Sequence, residues 1–199
     1  GFISLFKQIG NLPKSAELRW AWMFFGLGLS AALRKDAALG AQLLAQRMAN
    51  EIMQRLKFSN HDRLRILDLL TGFPEKNKPM SYKIVRTLAM ALRSQIEPWL
   101  KLQSAKLFLL QEESANEERA RLNAYSSAME DYINNPELCS LSLPQGLTRA
   151  LQEQLNLSGK QLGAVLSTIE EAILDEKLSE TANLEDFLSY CRALTNNPQ

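Results

Sequence analysis

The sequence predicts an all-α protein, an irregular array of about nine helices with no significant sheet. Three observations carry this. Apolar residues recur three and four apart through nearly every segment. Serines precede these periodic runs, while prolines and glycines fall between them, as helix start and stop signals do. No run alternates apolar and polar residues long enough for a strand, and Leu141 to Leu143 is too short to count. No repeat of fixed period is present.

The elements follow in order. A short helix is expected over Ile3 to Ile9. Pro13 and Ser15 open a longer one carrying Leu18 to Leu33, with Trp20, Trp22, Phe24 and Phe25 in an apolar run that reads as core. Ala37 to Leu56 forms the next, with apolar Leu43, Leu44, Met48, Ile52 and Leu56 at spacings of one, four, four and four. Ser59 is the expected N-cap of a helix carrying Leu64, Ile66, Leu67, Leu69 and Leu70, and Gly72 stands where a C-terminal cap would. Phe73 to Met80 is a loop with two prolines and two lysines. Ser81 caps the helix of Ile84, Leu88 and Leu92. Ile96 to Leu110 follows, with Pro98 tolerated in its first turn. A long polar helix covers Glu112 to Ile133. Pro136 and Pro144 then break the chain before helices over Gln145 to Leu155, Gly159 to Leu178 and Asn183 to Leu194, the middle one capped by Ser158.

Composition bounds the function. The chain has 199 residues, 46% of them hydrophobic and 23% charged, which suffices for a buried core and excludes bulk disorder. Two cysteines, Cys139 and Cys191, exclude a disulfide scaffold and point to a reducing compartment, hence a cytoplasmic location. The longest apolar run, Trp20 to Leu33, is too short to span a bilayer, so no membrane partner is expected. The chain opens on Gly1, as expected of an excised fragment.

The net charge of +1 hides a split. Residues 1–110 hold 17 Lys+Arg against 7 Asp+Glu, whereas residues 111–199 hold 6 against 15. Three regions are therefore expected: a basic helical part over 1–110, a polar connecting helix over 111–135 and an acidic helical tail over 136–199. Such asymmetry points to an electrostatic partner for one side.

No catalytic or metal-binding constellation is legible. The single histidine, His61, reads as a surface or capping residue, and one histidine with two distant cysteines cannot make a zinc site without carboxylates. No phosphate-cradling glycine loop or nucleophile elbow is present. Acidic pairs such as Asp175-Glu176 and Glu185-Asp186 lie on predicted helices, where neighbours diverge by about 100° and chelate one ion poorly. The glutamates at 112, 113, 117 and 118 read as a solvated face.

The cations are more informative. Arg47, Arg55, Lys57, Arg63 and Arg65 fall on two successive helices and their junction, and Lys76, Lys78, Lys83, Arg86 and Arg93 on a loop and the next helix. Arg86 and Arg93 are seven apart, with Lys83 adjoining. Such a face suits a phosphate backbone or is simply a solvated helix surface.

Three stretches resemble a known family. The first is LRWAWMFFGLG (Leu18 to Gly28) followed by GAQLLAQRMANEIMQRLKFSNHDRLRILDLL (Gly40 to Leu70). The second is SYKIVRTLAMAL (Ser81 to Leu92), before WLKLQSAKL. The third is LNLSGKQLGAVLSTIEEAILDEKL (Leu155 to Leu178). In this order they resemble the C-terminal helical neck, body and tail of bacterial class II tRNA nucleotidyltransferases, the CCA-adding enzyme and poly(A) polymerase family. The resemblance covers most of the chain through helix patterns with few distinctive polar residues.

The resemblance implies a catalytic head before Gly1 that uses Mg2+ and nucleoside triphosphates to extend the tRNA 3′ end. The present fragment then carries no active site or cofactor of its own. It implies tRNA as the partner, held by shape and phosphate contacts. The candidate RNA-binding residues are Arg55, Lys57, Arg63, Lys76, Lys78, Lys83, Arg86 and Arg93, with Lys160 at a helix N-terminus able to hold a phosphate. Some relatives carry a metal-binding His-Asp pair. It would fall on Phe25 and Gly26, neither of which has a metal-binding side chain. The acidic tail departs from a charge-based grip on tRNA. The alternative function is a helical protein-interaction or dimerisation module without RNA, its basic and acidic halves pairing within one molecule or across a homodimer.

Overall fold

The computed structural model describes residues 12, 14–35, 40–74, 80–107 and 112–196. The expected Ile3 to Ile9 helix lies outside them. Ten α-helices and two 3-10 turns are described, with no strand among the described residues, so the chain is an all-α array.

The first three helices show how local signals set the fold. In α1 (Ala16–Lys35) the Ser15 hydroxyl accepts from the Leu18 N–H at 3.3 Å, a capping bond. Trp22 and Phe24 are fully buried, and Trp20 stacks on Phe24 and meets Phe58 edge-on, so the aromatic run is core. α1 packs most extensively on α2 (Ala41–Arg55). Gly28 makes this possible, because a Cβ there would lie 2.4 Å from the Ala41 carbonyl oxygen and 2.6 Å from the Ala45 nitrogen. Ser59 caps α3 (Asn60–Leu69), its hydroxyl accepting from the Asp62 N–H at 3.1 Å and donating to the Asp62 carboxylate at 2.7 Å.

Gly72 departs from its expected role. The C-cap of α3 is Leu70, and the only glycines with positive φ among the described residues are Gly146 and Gly159. Gly72 instead lies against the Gln42 side-chain amide. The Thr71 carbonyl beyond the helix accepts from Trp99 Nε1 at 2.6 Å and Gln103 Nε2 at 3.2 Å, so α5 (Ile96–Leu107) ties down this connection.

Ser81 caps α4 (Tyr82–Leu92), accepting from the Ile84 N–H. α4 passes into α5 through a 3-10 turn, Arg93–Gln95, in which Arg93 has φ +50. The polar helix is interrupted. α6 (Glu112–Ala128) and α7 (Glu130–Asn134) meet at fully buried Met129. Nor does this segment stand apart: Tyr125 packs on Phe73 and Trp99, and Arg121 donates to the Pro74 carbonyl at 2.8 Å. Pro136 opens the 3-10 turn Pro136–Cys139.

The last helices are α8 (Leu147–Leu155), α9 (Gly159–Leu174) and α10 (Leu184–Asn196). Ser158 stands at the N-cap of α9 without a side-chain capping bond. α9 ends four residues before the expected Leu178 because Glu176 turns left-handed at φ +57. There the Lys177 N–H reaches the Ala172 carbonyl and the Glu176 N–H reaches that of Ile173, a Schellman closure. Asn183 and Asp186 cap α10 reciprocally.

The buried side chains form two clusters. One runs from Leu12 to Cys139 and draws on α1 to α7; the other, around Leu147, Leu151, Ile169, Ile173, Phe187 and Leu188, joins α8 to α10. Cys139 is buried in the first and Cys191 in the second, and burial pushes both thiols up. No helix among the described residues is long and apolar enough to cross a membrane.

Candidate nucleic-acid interface

Arg55, Lys57 and Arg63 meet at the corner between α2 and α3. Arg55 occupies the last turn of α2 and is exposed. The helix closes just beyond it by the same Schellman geometry as α9. The Phe58 N–H reaches the Met53 carbonyl at 3.0 Å and the Lys57 N–H that of Gln54 at 3.2 Å. This places Lys57 at φ +56, where glycine is the usual occupant. Its side chain projects into solvent beside exposed Leu56. Arg63 is held from both sides, donating to Asn60 Oδ1 at 3.2 Å and Asn50 Oδ1 at 3.0 Å. Its Nε is buried without a hydrogen-bond partner. Neutral amides orient this guanidinium. Among the described residues no carboxylate is paired with Arg55, Lys57 or Arg63. By contrast, Arg47 pairs with Glu51 at 3.4 Å and Arg65 with Glu17 at 3.6 Å.

Lys83 and Arg86 are differently placed. Both face the turn that follows α9. Lys83 Nζ lies 2.5 Å from Asp175 Oδ1, and Arg86 Nη2 lies 2.5 Å from Glu180 Oε2. Arg86 Nη1 also donates to the Tyr82 hydroxyl. The Arg86 side chain is only 8% exposed. Burial alone would pull its pKa down, but Tyr82 and Glu180 outweigh it and the net shift is upward. Hydrogen bonds from Lys83 and Lys177 hold the Asp175 carboxyl low. On this geometry the charge of Arg86, an expected phosphate contact, is matched by Glu180 and its surface is covered. The i, i+3 and i, i+7 spacing placed it on a face, but the carboxylate occupying that face lies 94 residues away.

The remaining candidates scatter. Arg93 is exposed and, through its charge, lowers the carboxyl of half-buried Asp68, which burial raises on balance. Lys160 is exposed in the first turn of α9. Lys76 and Lys78 lie outside the described residues. His61 is exposed beside Asp62 in the first turn of α3. Phe25 carries the Lys106 ammonium 4.5 Å from its ring centroid, and Gly26 is buried. Among the described residues no group of three or more His, Cys, Asp or Glu side chains converges as a metal site. The residues that sequence reasoning missed are Tyr82, Asp175, Glu180 and Ser142, whose N–H donates to Glu180 Oε1 at 2.6 Å. Their only signal was the opposite charge of the two halves. No family model, curated protein or solved structure matches the chain.

Proposed function

We propose that this chain is the tRNA-binding helical portion of a cytoplasmic tRNA nucleotidyltransferase-like protein, presenting the tRNA 3′ end to a catalytic head that uses Mg2+ and nucleoside triphosphates. Its starting point is the ordered resemblance of three stretches. The observation that carries it is the α2–α3 corner. There, among the described residues, no carboxylate pairs with Arg55, Lys57 or Arg63, and Lys57 occupies a backbone position that favours glycine. Residues held in unfavourable backbone conformations concentrate at functional sites, where the side chain is what is kept. Phosphate contacts of this kind position an RNA without reading its bases.

The test is tRNA binding by the full chain, followed by fluorescence anisotropy. Replacing Arg55 and Lys57 by alanine should weaken binding about tenfold at low salt. Equal affinity in the variant and the wild type would remove the corner from the interface. A second reading, an interaction module without RNA, is favoured by the pairing of Lys83 with Asp175 and of Arg86 with Glu180. It predicts salt-sensitive self-association by light scattering that tRNA leaves unchanged.

A further inference from the structure

We infer that the turn after α9, residues 175–180, is a displaceable phosphate mimic that covers a latent phosphate site on Lys83 and Arg86. This rests on the RNA-binding reading above and adds a regulation to it. The turn belongs to the second buried cluster and α4 to the first, so the two ion pairs join the clusters.

The Arg86 fork is only half used. Nη2 takes one oxygen of Glu180, while Nε, on the same edge of the guanidinium, is buried with no partner. A carboxylate facing that edge squarely would satisfy both nitrogens. Glu180 does not, because its other oxygen is drawn to the Ser142 N–H. A backbone phosphodiester, whose two non-bridging oxygens have no such competing partner, can take Nη2 and Nε together. A cleft of about 280 Å³ lies beside Arg86, lined by Tyr82, Arg86, Glu176, Leu178, Ser179 and Glu180 among others. Glu176 stands at φ +57, a left-handed position where glycine would be easier and a charged residue stands instead. Two carboxylates, Asp175 and Glu180, are thus held on Lys83 and Arg86, with Lys177 also on Asp175 and Glu176 lining the cleft beside Arg86, in the role that consecutive phosphates of a nucleic-acid backbone would fill.

In the free chain the turn is closed. When an RNA backbone reaches α4, its phosphates replace Asp175 and Glu180 on Lys83 and Arg86, and the turn lifts. A cover closed about nine-tenths of the time lowers the apparent affinity about tenfold. The experiment compares tRNA binding across a salt series for the full chain, for D175N/E180Q and for E170Q/E171Q. The last removes the same charge from exposed positions of α9. D175N/E180Q should bind about tenfold tighter, with a log–log salt slope steeper by about 1 to 2 for the two phosphates gained. E170Q/E171Q should change much less. Hydrogen exchange supplies a second readout: added tRNA should speed exchange of the Ser142 amide and of residues 175–182.

Tighter binding and faster exchange together support the cover, as does tRNA binding seen only in D175N/E180Q. If the wild type binds tRNA and D175N/E180Q binds it equally, the cover is wrong and the RNA reading stands. An equal gain in E170Q/E171Q reduces the effect to general electrostatics and also overturns it. If neither the wild type nor D175N/E180Q binds, the RNA reading fails and the cover fails with it.

Discussion

Replacing Gly28 by alanine should loosen the pairing of α1 with α2. The added Cβ would stand 2.4 Å from the Ala41 carbonyl oxygen, 2.6 Å from the Ala45 nitrogen and 2.7 Å from the Ala45 Cα. All three are backbone atoms, so no side chain can swing aside. Ordinary contact begins near 3.4 Å, so α2 must retreat by about 1 Å. A gap of that size forfeits roughly a quarter to a half of the dispersion energy of the atoms it separates. Here these include fully buried Ala45 and Ala49. Overpacking of this kind costs about 3 kcal/mol, at the upper end of its usual range. For a chain of this size that is roughly 6–12 °C in Tm. Gly163 supplies the control. It lies within α9, is exposed and has open space where a Cβ would go, so G163A should stabilise by about 0.5–1 kcal/mol. Thermal denaturation followed by circular dichroism reads both. A G28A variant as stable as the wild type would refute the close approach of α1 and α2.

Lys57→Gly should stabilise the chain by about 0.5–1 kcal/mol, because glycine adopts the left-handed conformation without a Cβ penalty. The same variant should bind tRNA more weakly. A stabilised variant with undiminished tRNA binding would mean that Lys57 is kept for another reason. Lys106 makes stability depend on pH. Burial pulls its pKa down to about 7, although Gln103 and the Phe25 ring favour the charged form. The folded chain therefore binds this proton only below about 7, while the unfolded chain holds it up to the ordinary lysine value of about 10.4. Between these values the unfolded state carries more protons, so stability rises with pH, by up to about 1.4 kcal/mol per unit, and is lowest once both states are protonated. Lys106→Met should flatten that slope and gain most below pH 7. Urea denaturation from pH 6 to 10 checks it, and parallel wild-type and variant curves would contradict it.

Much of the fold was legible because it rests on local chemistry. Ser59 and Ser81 start their helices through side-chain capping bonds that a few neighbouring residues determine. The run from Trp20 to Phe25 is core because its period and apolarity leave no other place for it. What escaped were features decided by distant partners or by backbone conformation. Gly72 stands beyond a helix end, yet Leu70 closes that helix and Gly72 serves a close approach to Gln42. Lys57 and Glu176 take left-handed positions that composition would assign to glycine. The polar segment after Glu112 reads as solvated, but Arg121 and Tyr125 fix it to Phe73 and Trp99. At the candidate site, the exposure of Arg55 and Lys57 follows from their place at a helix end. The covering of Arg86 does not, because its partner Glu180 belongs to another buried cluster and no helical spacing points to it.

An α2–α3 corner that holds RNA through phosphates must bind it in a salt-dependent way. The salt dependence of tRNA affinity tests this most directly. For the wild-type chain, log K should fall linearly with log salt concentration, and R55A/K57A should flatten that line by about 1 for each phosphate no longer neutralised. A wild-type affinity indifferent to salt, or an unchanged slope in the variant, would contradict the account.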